Sequence, residues 1–376
     1  MLTLYIHIPF CVRKCHYCGF YSTEYTRENA DAYLSALNRE AEANRPLVGT
    51  QTIRSIYIGG GTPTVLAGNH LQSVLALPRK HFPVAPGAEF TVEANPGSLT
   101  RECVQLMLQQ GVNRLSLGIQ SFSDELLAFL GRPHSTKEAL DAYALARTEG
   151  LGNIGIDLIF GIPGQSMRQW EETLDTAIAL RPEHISAYSL SLDEGSKFMR
   201  ASASGVFTLP DDDDAADHYA SALESLGRAG YEHYEISNFA LPGFSCRHNL
   251  NYWQRGQYLG LGPAAWSSIG NRRYQTIPEL HEYARRMNSG QPAIAEEETI
   301  DDHQAAQERV MLSLRTSRGL DLSAFGEACG AGEVLRIRGN AEPLKLSGLL
   351  EEAGGWLRLT RSGFLLANEV ISRLSP

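Results

Sequence analysis

Six short β-rich runs alternate with amphipathic helical stretches through the first two-thirds of the chain, and that alternation leaves few folds open. The runs are Leu2–Ile8, Ile53–Ile58, Glu89–Ala94, Arg114–Ile119, Ile154–Phe160 and His184–Leu190. Between most of them lie the helical stretches Arg27–Asn44, Thr100–Gln110, Thr136–Glu149 and Met167–Leu180. Repeated β-then-α units predict a parallel sheet with helices outside it. Six units suit an incomplete barrel better than a closed one of eight. The expected class is therefore α/β, an incomplete (β/α)6 TIM-like barrel.

The residues at and just beyond the end of each run carry the chemistry. Beyond the first lies a loop with Cys11, Cys15 and Cys18, and beyond the second Gly59-Gly60-Gly61-Thr62-Pro63. Glu93 stands near the end of the third, ahead of Asn95-Pro96. Gln120-Ser121-Phe122 closes the fourth, and the fifth contains Asp157 and ends in Gly161-Ile162-Pro163-Gly164. Polar and glycine-rich residues thus collect at one end of the sheet, where parallel α/β barrels carry their active sites. The triple glycine lets a backbone approach a ligand without side-chain obstruction, although a tight turn alone would use the same residues.

Gaps of three and two residues put the three thiols of Cys11, Cys15 and Cys18 on one short loop. A disulfide would leave one sulfur over. Tetrahedral zinc wants a fourth ligand, for which the loop offers no histidine in the usual paired spacing. A cubane iron–sulfur cluster held by three cysteines keeps one iron open to a small chelating molecule. Zinc and three unrelated thiols remain alternatives on the spacing alone.

The loop in its setting, YIHIPFCVRKCHYCGF, resembles the radical S-adenosylmethionine (SAM) superfamily. That resemblance implies a [4Fe–4S] cluster on Cys11, Cys15 and Cys18, with SAM chelating the fourth iron. In that superfamily, reduction of the cluster cleaves SAM to methionine and a 5′-deoxyadenosyl radical. The runs GVNRLSLGIQSF, LGRPHS and IGIDLIFGIPGQ resemble, more narrowly, oxygen-independent coproporphyrinogen dehydrogenase and its relatives, which bind two SAM molecules. The resemblance places Tyr5, Gly60 and Glu93 at the first SAM, and Tyr17, Gly61, Thr62, Gln120, Arg132 and Asp157 at the second. The chemistry suits these positions: Arg132 can fork onto a carboxylate, and Asp157 or Glu93 can accept from an ammonium or a ribose hydroxyl. The plainer reading pairs Arg132 with Asp157.

A second dense stretch, Cys246-Arg247-His248-Asn249-Leu250-Asn251-Tyr252-Trp253, packs a thiol, an imidazole and two aromatics into eight residues. By itself it reads as a core histidine among core aromatics. Its HNxxYW pattern resembles a segment of the haem chaperones of this subfamily, which makes His248 a candidate haem contact. Those relatives usually carry histidine where Trp266 stands here. Three functions are compatible with the resemblance: a haem chaperone that passes haem to acceptor proteins, a coproporphyrinogen III oxidase, or a two-SAM methyltransferase or cyclopropanase. The cluster loop ends Cys18-Gly19-Phe20, where the dehydrogenases have a fourth cysteine, and their N-terminal extension ahead of the first strand has no counterpart before Cys11. Both points favour the chaperone.

Composition sets outer bounds. At 376 residues, with 43% hydrophobic and 20% charged content, the chain suits one large domain and a smaller one. The net charge of −10 argues against nucleic-acid binding. No apolar run is long enough to span a membrane. No leader pattern opens the chain, and unpaired thiols suit the cytoplasm. A homodimer linked through the cluster is compatible with the three-cysteine loop. The expected division is a barrel over 1–230, a connecting segment over 231–295 and a helical, winged-helix-like domain over 296–376. In that last part a helix is expected at about Asp301–Thr316, another over Leu344–Gly354, a strand at Trp356–Thr360 and a final helix over Ser362–Leu374. Residues 301–376 have no basic surplus, so a lid or substrate-end domain is expected there, not a DNA reader. Asp211–Asp214 reads as a solvated helix start.

Overall fold

The computed structural model describes residues 1–374. The six runs become six parallel strands: β1 (Leu2–Ile8), β2 (Ile53–Gly60), β3 (Val84–Ala94), β4 (Arg114–Gln120), β5 (Ile154–Phe160) and β6 (His184–Ser189). They pair in sequence order. The sheet extends further at both edges through β7 (Glu232–Glu235), β8 (Asn238–Ala240), β9 (Gln257–Leu261), β10 (Trp266–Ile269), β11 (Arg272–Thr276) and β12 (Ile294–Thr299). The order across it is β12-β11-β10-β9-β1-β2-β3-β4-β5-β6-β8-β7. Strand β9 runs parallel to β1, with Tyr5 opposite Gly260, so a seventh parallel strand stands ahead of the first. The flanking strands are antiparallel, and the barrel stays open.

A period of two runs along every barrel strand and sorts its residues to two faces. Leu4, Ile6, Ile8, Ile56, Ile58, Phe90, Val92, Leu115, Leu117, Ile119, Ile154, Ile156 and Leu158 are buried and form the core beneath the helices. The alternate positions are mostly polar or small: Tyr5 and His7, Ser55 and Tyr57, Glu89 to Glu93, Arg114 to Gln120, Asp157, then His184 to Tyr188. These bond one another between neighbouring strands, as Tyr57 does to Glu93 and Ser186 to Asp157. The apolar layer thus lies outside the barrel, and the polar layer within it.

The outer helices are α1 (Arg27–Val48), α2 (Gly68–His81), α3 (Arg101–Gln109), α4 (Asp124–Leu130), α5 (Thr136–Thr148) and α6 (Met167–Leu180). Side-chain oxygens of Thr26, Thr100, Ser123, Ser135 and Ser166 cap the starts of α1, α3, α4, α5 and α6. Ser135 with Glu138 and Ser166 with Gln169 complete capping boxes. After α7 (Lys197–Ala203), Asp211 caps α8 (Asp212–Arg228) by accepting from the Asp214 amide, as its sequence suggests.

Helix α9 (Arg247–Trp253) crosses the floor of the barrel. Glu89, at the lower end of β3, accepts from the Arg247 and His248 amides at its start, an arrangement the helix dipole favours. Asn251 donates to the Thr3 hydroxyl and the Gln257 carbonyl, which ties the helix to β1 and β9.

After α10 (Leu280–Asn288) and β12, the chain forms α11 (Asp302–Ser313), β13 (Leu320–Asp321), α12 (Leu322–Cys329), α13 (Ala331–Leu346), β14 (Leu350–Ala353), β15 (Trp356–Leu359), α14 (Arg361–Leu365) and α15 (Ala367–Leu374). The small sheet runs β13-β15-β14. The helix expected over Leu344–Gly354 is a misreading. Helix α13 ends at Leu346, Gly348 turns the chain at φ 74°, and Gly354-Gly355, at φ 58° and 82°, form the tip of the β14–β15 hairpin. Nor is this part a lid: it packs on α8, β7 and α9, and none of its described residues lines the main cavity.

Candidate functional site

The C-terminal ends of β1 to β6 surround a cavity of about 620 Å³. Cys11, Cys15, Cys18, Tyr17, Gly60, Gly61, Thr62, Glu93, Gln120, Arg132 and Asp157 all line it. Residues separated by up to 146 positions in the chain therefore meet in one space.

The cysteine loop is held from three sides. The Gly61 and Thr62 amides donate to the Ile8 and Phe10 carbonyls at 2.8 and 2.7 Å. The His16 amide and Nδ1 bond the Leu130 and Phe129 carbonyls, both at 2.9 Å, at the end of α4. The Gly19 amide donates to Asp193 at 3.0 Å. Glycine is required where these segments touch: a Cβ on Gly61 would lie 2.5 Å from the Phe10 carbonyl oxygen, and one on Gly131 2.7 Å from the His16 ring.

The sulfurs have polar neighbours. Arg132 Nη1 donates to Cys15 Sγ at 3.3 Å and the Thr62 hydroxyl to Cys11 Sγ at 3.7 Å. Burial raises the Cys11 thiol and pushes Cys18 up to about 11, so both are held as thiols until a metal takes the proton's place. Among the described residues no three histidine, cysteine or acidic side chains converge on one metal-ion position. All three thiols line the one cavity, a donor set that fits a cubane cluster with one open iron. Cys103, Cys246 and Cys329 lie outside the cavity.

Below the loop are two buried carboxylates with different partners. Glu93 accepts from the Tyr57 hydroxyl at 2.8 Å and the Gly60 amide at 3.0 Å, and burial raises it to about 7. Gly59 makes room for it, since a Cβ there would lie 2.5 Å from the carboxylate. Asp157 is held by the Ser116 and Ser186 hydroxyls at 2.9 and 2.7 Å, and burial raises it too. Arg132 and Asp157 form no ion pair among the described residues. Instead Arg132 Nη2 donates to the Gly118 carbonyl at 2.6 Å, its guanidinium bonds Tyr17, and its buried Nε has no partner. Gln120 adopts a positive φ of 71°, which is uncommon outside glycine and frequent at functional sites. Gly118 leaves room for its amide and for Arg132. An orphaned guanidinium nitrogen, two buried acids and a glycine cradle fit an amino-acid-bearing ligand next to the thiols.

Two sequence candidates lie elsewhere. Tyr5 donates to or accepts from His7 Nδ1 at 3.0 Å and lines a neighbouring cavity of about 560 Å³ with Tyr252, Tyr258 and Trp266; Phe20 borders both cavities. His248 is not brought to either cavity. It is buried in the floor, Nδ1 bonded to Ser55 at 3.0 Å and Nε2 to Tyr252 at 2.9 Å, and burial lowers its pKa to about 3. Neither nitrogen is open to an iron, so the geometry gives His248 a supporting place. Sequence reasoning passes over Tyr57, Ser116 and Ser186, the residues that hold the acids. Their signal is the polar alternation within otherwise apolar strands.

Known proteins resemble this chain along most of its length. The radical SAM superfamily profile covers residues 5–177, and the HemN C-terminal domain profile covers residues 300–366. The chain is 36% identical to heme chaperone HemW of Mycobacterium tuberculosis over 376 residues, covering 99% of this chain and 94% of that one. The chain belongs to the HemW family of the radical SAM superfamily. Heme chaperone HemW of Bacillus subtilis is 34% identical, with 98% of each chain covered, and that of Escherichia coli is 40% identical over 71% of this chain and 70% of its own. In fold, this HemW-family chain is similar to coproporphyrinogen III oxidase (HemN) of Escherichia coli, at a TM-score of 0.86 and 25% identity, covering 100% of this chain and 90% of that one. Membership in the superfamily implies a [4Fe–4S] cluster and SAM.

Proposed function

We propose that this protein is a haem chaperone: it binds haem and hands it to acceptor proteins in the cytoplasm, as part of porphyrin metabolism, using a cluster-and-SAM site of the radical SAM type. The observation that carries the reading is the gathering of the cysteine loop, glycine turn, Glu93, Gln120, Arg132 and Asp157 around one cavity, in a chain similar end to end to heme chaperones.

In this reading Cys11, Cys15 and Cys18 hold the cluster, which when bound supplies an electron to the sulfonium of SAM. The protein's own groups do the rest. Glu93 in its ionised form accepts from an ammonium, steadied by Tyr57 and the Gly60 amide. Tyr5 stands behind it beside Tyr57, at a ring distance of 6.3 Å. Arg132 offers its unpartnered Nε to a carboxylate. Asp157 and Gln120 face hydroxyl or amide groups of the same ligand or a second copy, with Tyr17, Gly61 and Thr62 closing the wall. The oxidase and methyltransferase readings gain no support from the relatives at 34–40% identity.

The test is a titration of the anaerobically reconstituted full chain with haemin, monitored in the Soret region, and then incubation with a haem-free acceptor protein. A saturating band that moves to the acceptor is expected. No haemin binding, together with SAM-dependent decarboxylation of coproporphyrinogen III, would replace the chaperone with the oxidase.

A further inference from the structure

Two large apolar side chains of the cysteine loop face solvent: Val12 is 68% exposed and Phe20 61%. A scattered exposed apolar residue needs no explanation, but these two belong to the same cysteine loop and both line the main cavity. Between them the loop carries Arg13 and Lys14, also exposed and also at the mouth. Neither cation is ion-paired with a carboxylate among the described residues. Arg13 is oriented by its Nε, which donates to the Gly131 carbonyl at 3.3 Å. The nearby acid Asp193, which touches the loop at Gly19, has its oxygens engaged by the Gly19 amide and the Ser191 hydroxyl, both at 3.0 Å. In a chain of net charge −10 this is a cationic, apolar lip over a cavity whose polar groups, Glu93, Arg132 and Asp157, lie buried below it.

We propose that this lip is the landing site for a planar tetrapyrrole dicarboxylate, its ring face against Val12 and Phe20 and its carboxylates on Arg13 and Lys14. Resting on the haem reading above, the proposal adds where the cargo sits and which way it points. The carboxylates face outward, because the two cations that would hold them, Arg13 and Lys14, are exposed at the mouth. The macrocycle therefore covers the mouth without entering the space reserved for the cluster and SAM.

The experiment compares haemin with its dimethyl ester, which keeps the ring and lacks the free carboxylates, on the reconstituted full chain. In wild type, haemin affinity falls as salt rises and ester affinity does not. The double variant Arg13→Gln/Lys14→Gln weakens haemin about tenfold and leaves the ester unchanged. Val12→Ser/Phe20→Ser weakens both. Iron content per chain and SAM affinity, measured on each variant, report an intact site. Wild type that binds haemin with no salt dependence and no difference from the ester overturns the lip while leaving the haem reading standing, as does unaltered haemin binding in both variants. Wild type that binds no haemin removes the haem reading itself.

Discussion

Glu93 shows how much one side chain can carry. Burial raises its pKa to about 7, so it is protonated below that pH and ionised above it. Only the ionised form accepts well from an ammonium. SAM affinity is expected to rise with pH up to about 7 and then level off, and Glu93→Gln should be weaker and flat across that range; equilibrium binding from pH 5.5 to 8.5 checks both. Changing Cys11, Cys15 or Cys18 to Ala should abolish the visible absorbance of the reconstituted cluster, while Cys246→Ala, buried against Glu89 and outside the cavity, should keep it. The thiols, the glycines and Glu93 are legible from spacing and from their place at strand ends. His248 is not, because the groups that decide its role lie far away in the chain: Ser55 and Glu89 close around it from β2 and β3. Motif resemblance singles out the residue, and only tertiary packing shows that its nitrogens are occupied.

The elements differ in how they can be read. β1 and β5 begin and end where their apolar runs do, because each buries one whole face against the helices. The four strands from β9 to β12 give no such signal. They are short, and β12 is almost wholly exposed, so they lack the apolar run that marks an inner strand. The Gly354-Gly355 pair reads along the sequence as a helix stop and is in fact a hairpin tip, since glycine at positive φ serves both. The glycine turn after β2 has no such ambiguity once built. Gly61→Ala forces a methyl against backbone carbonyls of Ile8 and Phe10, and should cost about 1–3 kcal/mol and loosen the cysteine loop; thermal unfolding and iron content check it. Between α1 and α10, Glu40 accepts from the Gly262 amide at 2.7 Å and the Tyr283 hydroxyl at 2.8 Å. Burial raises it to about 7, so its favourable contribution is complete below its unfolded pKa of about 4.5 and is lost as pH rises through 7. Glu40→Gln should therefore flatten the decline in stability between pH 5 and 8, measured by denaturant unfolding.

At the scale of the whole molecule, the C-terminal part shares the barrel's apolar core and is joined to it by polar contacts at the rim. Glu308 on α11 bonds Arg255 at 2.7 Å, just past α9, and also pairs with Arg273 on β11. All three side chains are partly shielded from solvent. Glu308→Ala should cost about 1–3 kcal/mol and raise amide exchange in 302–374 more than in the barrel strands, which hydrogen-exchange mass spectrometry resolves. An α/β partial barrel can be foreseen from six repeated units. The docking of the last 70 or so residues against α8, β7 and α9 cannot, because it rests on contacts between residues far apart in the chain, such as this one and His233 with Phe364, and on no local pattern.

Helix α9 stops the lower end of the barrel, its start pinned by Glu89 and its middle by Thr3. The room above it is closed at that end and is lined on the other by the cysteine loop. On the placement proposed above, a passenger across the opening and a nucleoside on its way in would share one doorway and would have to use it in turn. Position alone would then set an order of events.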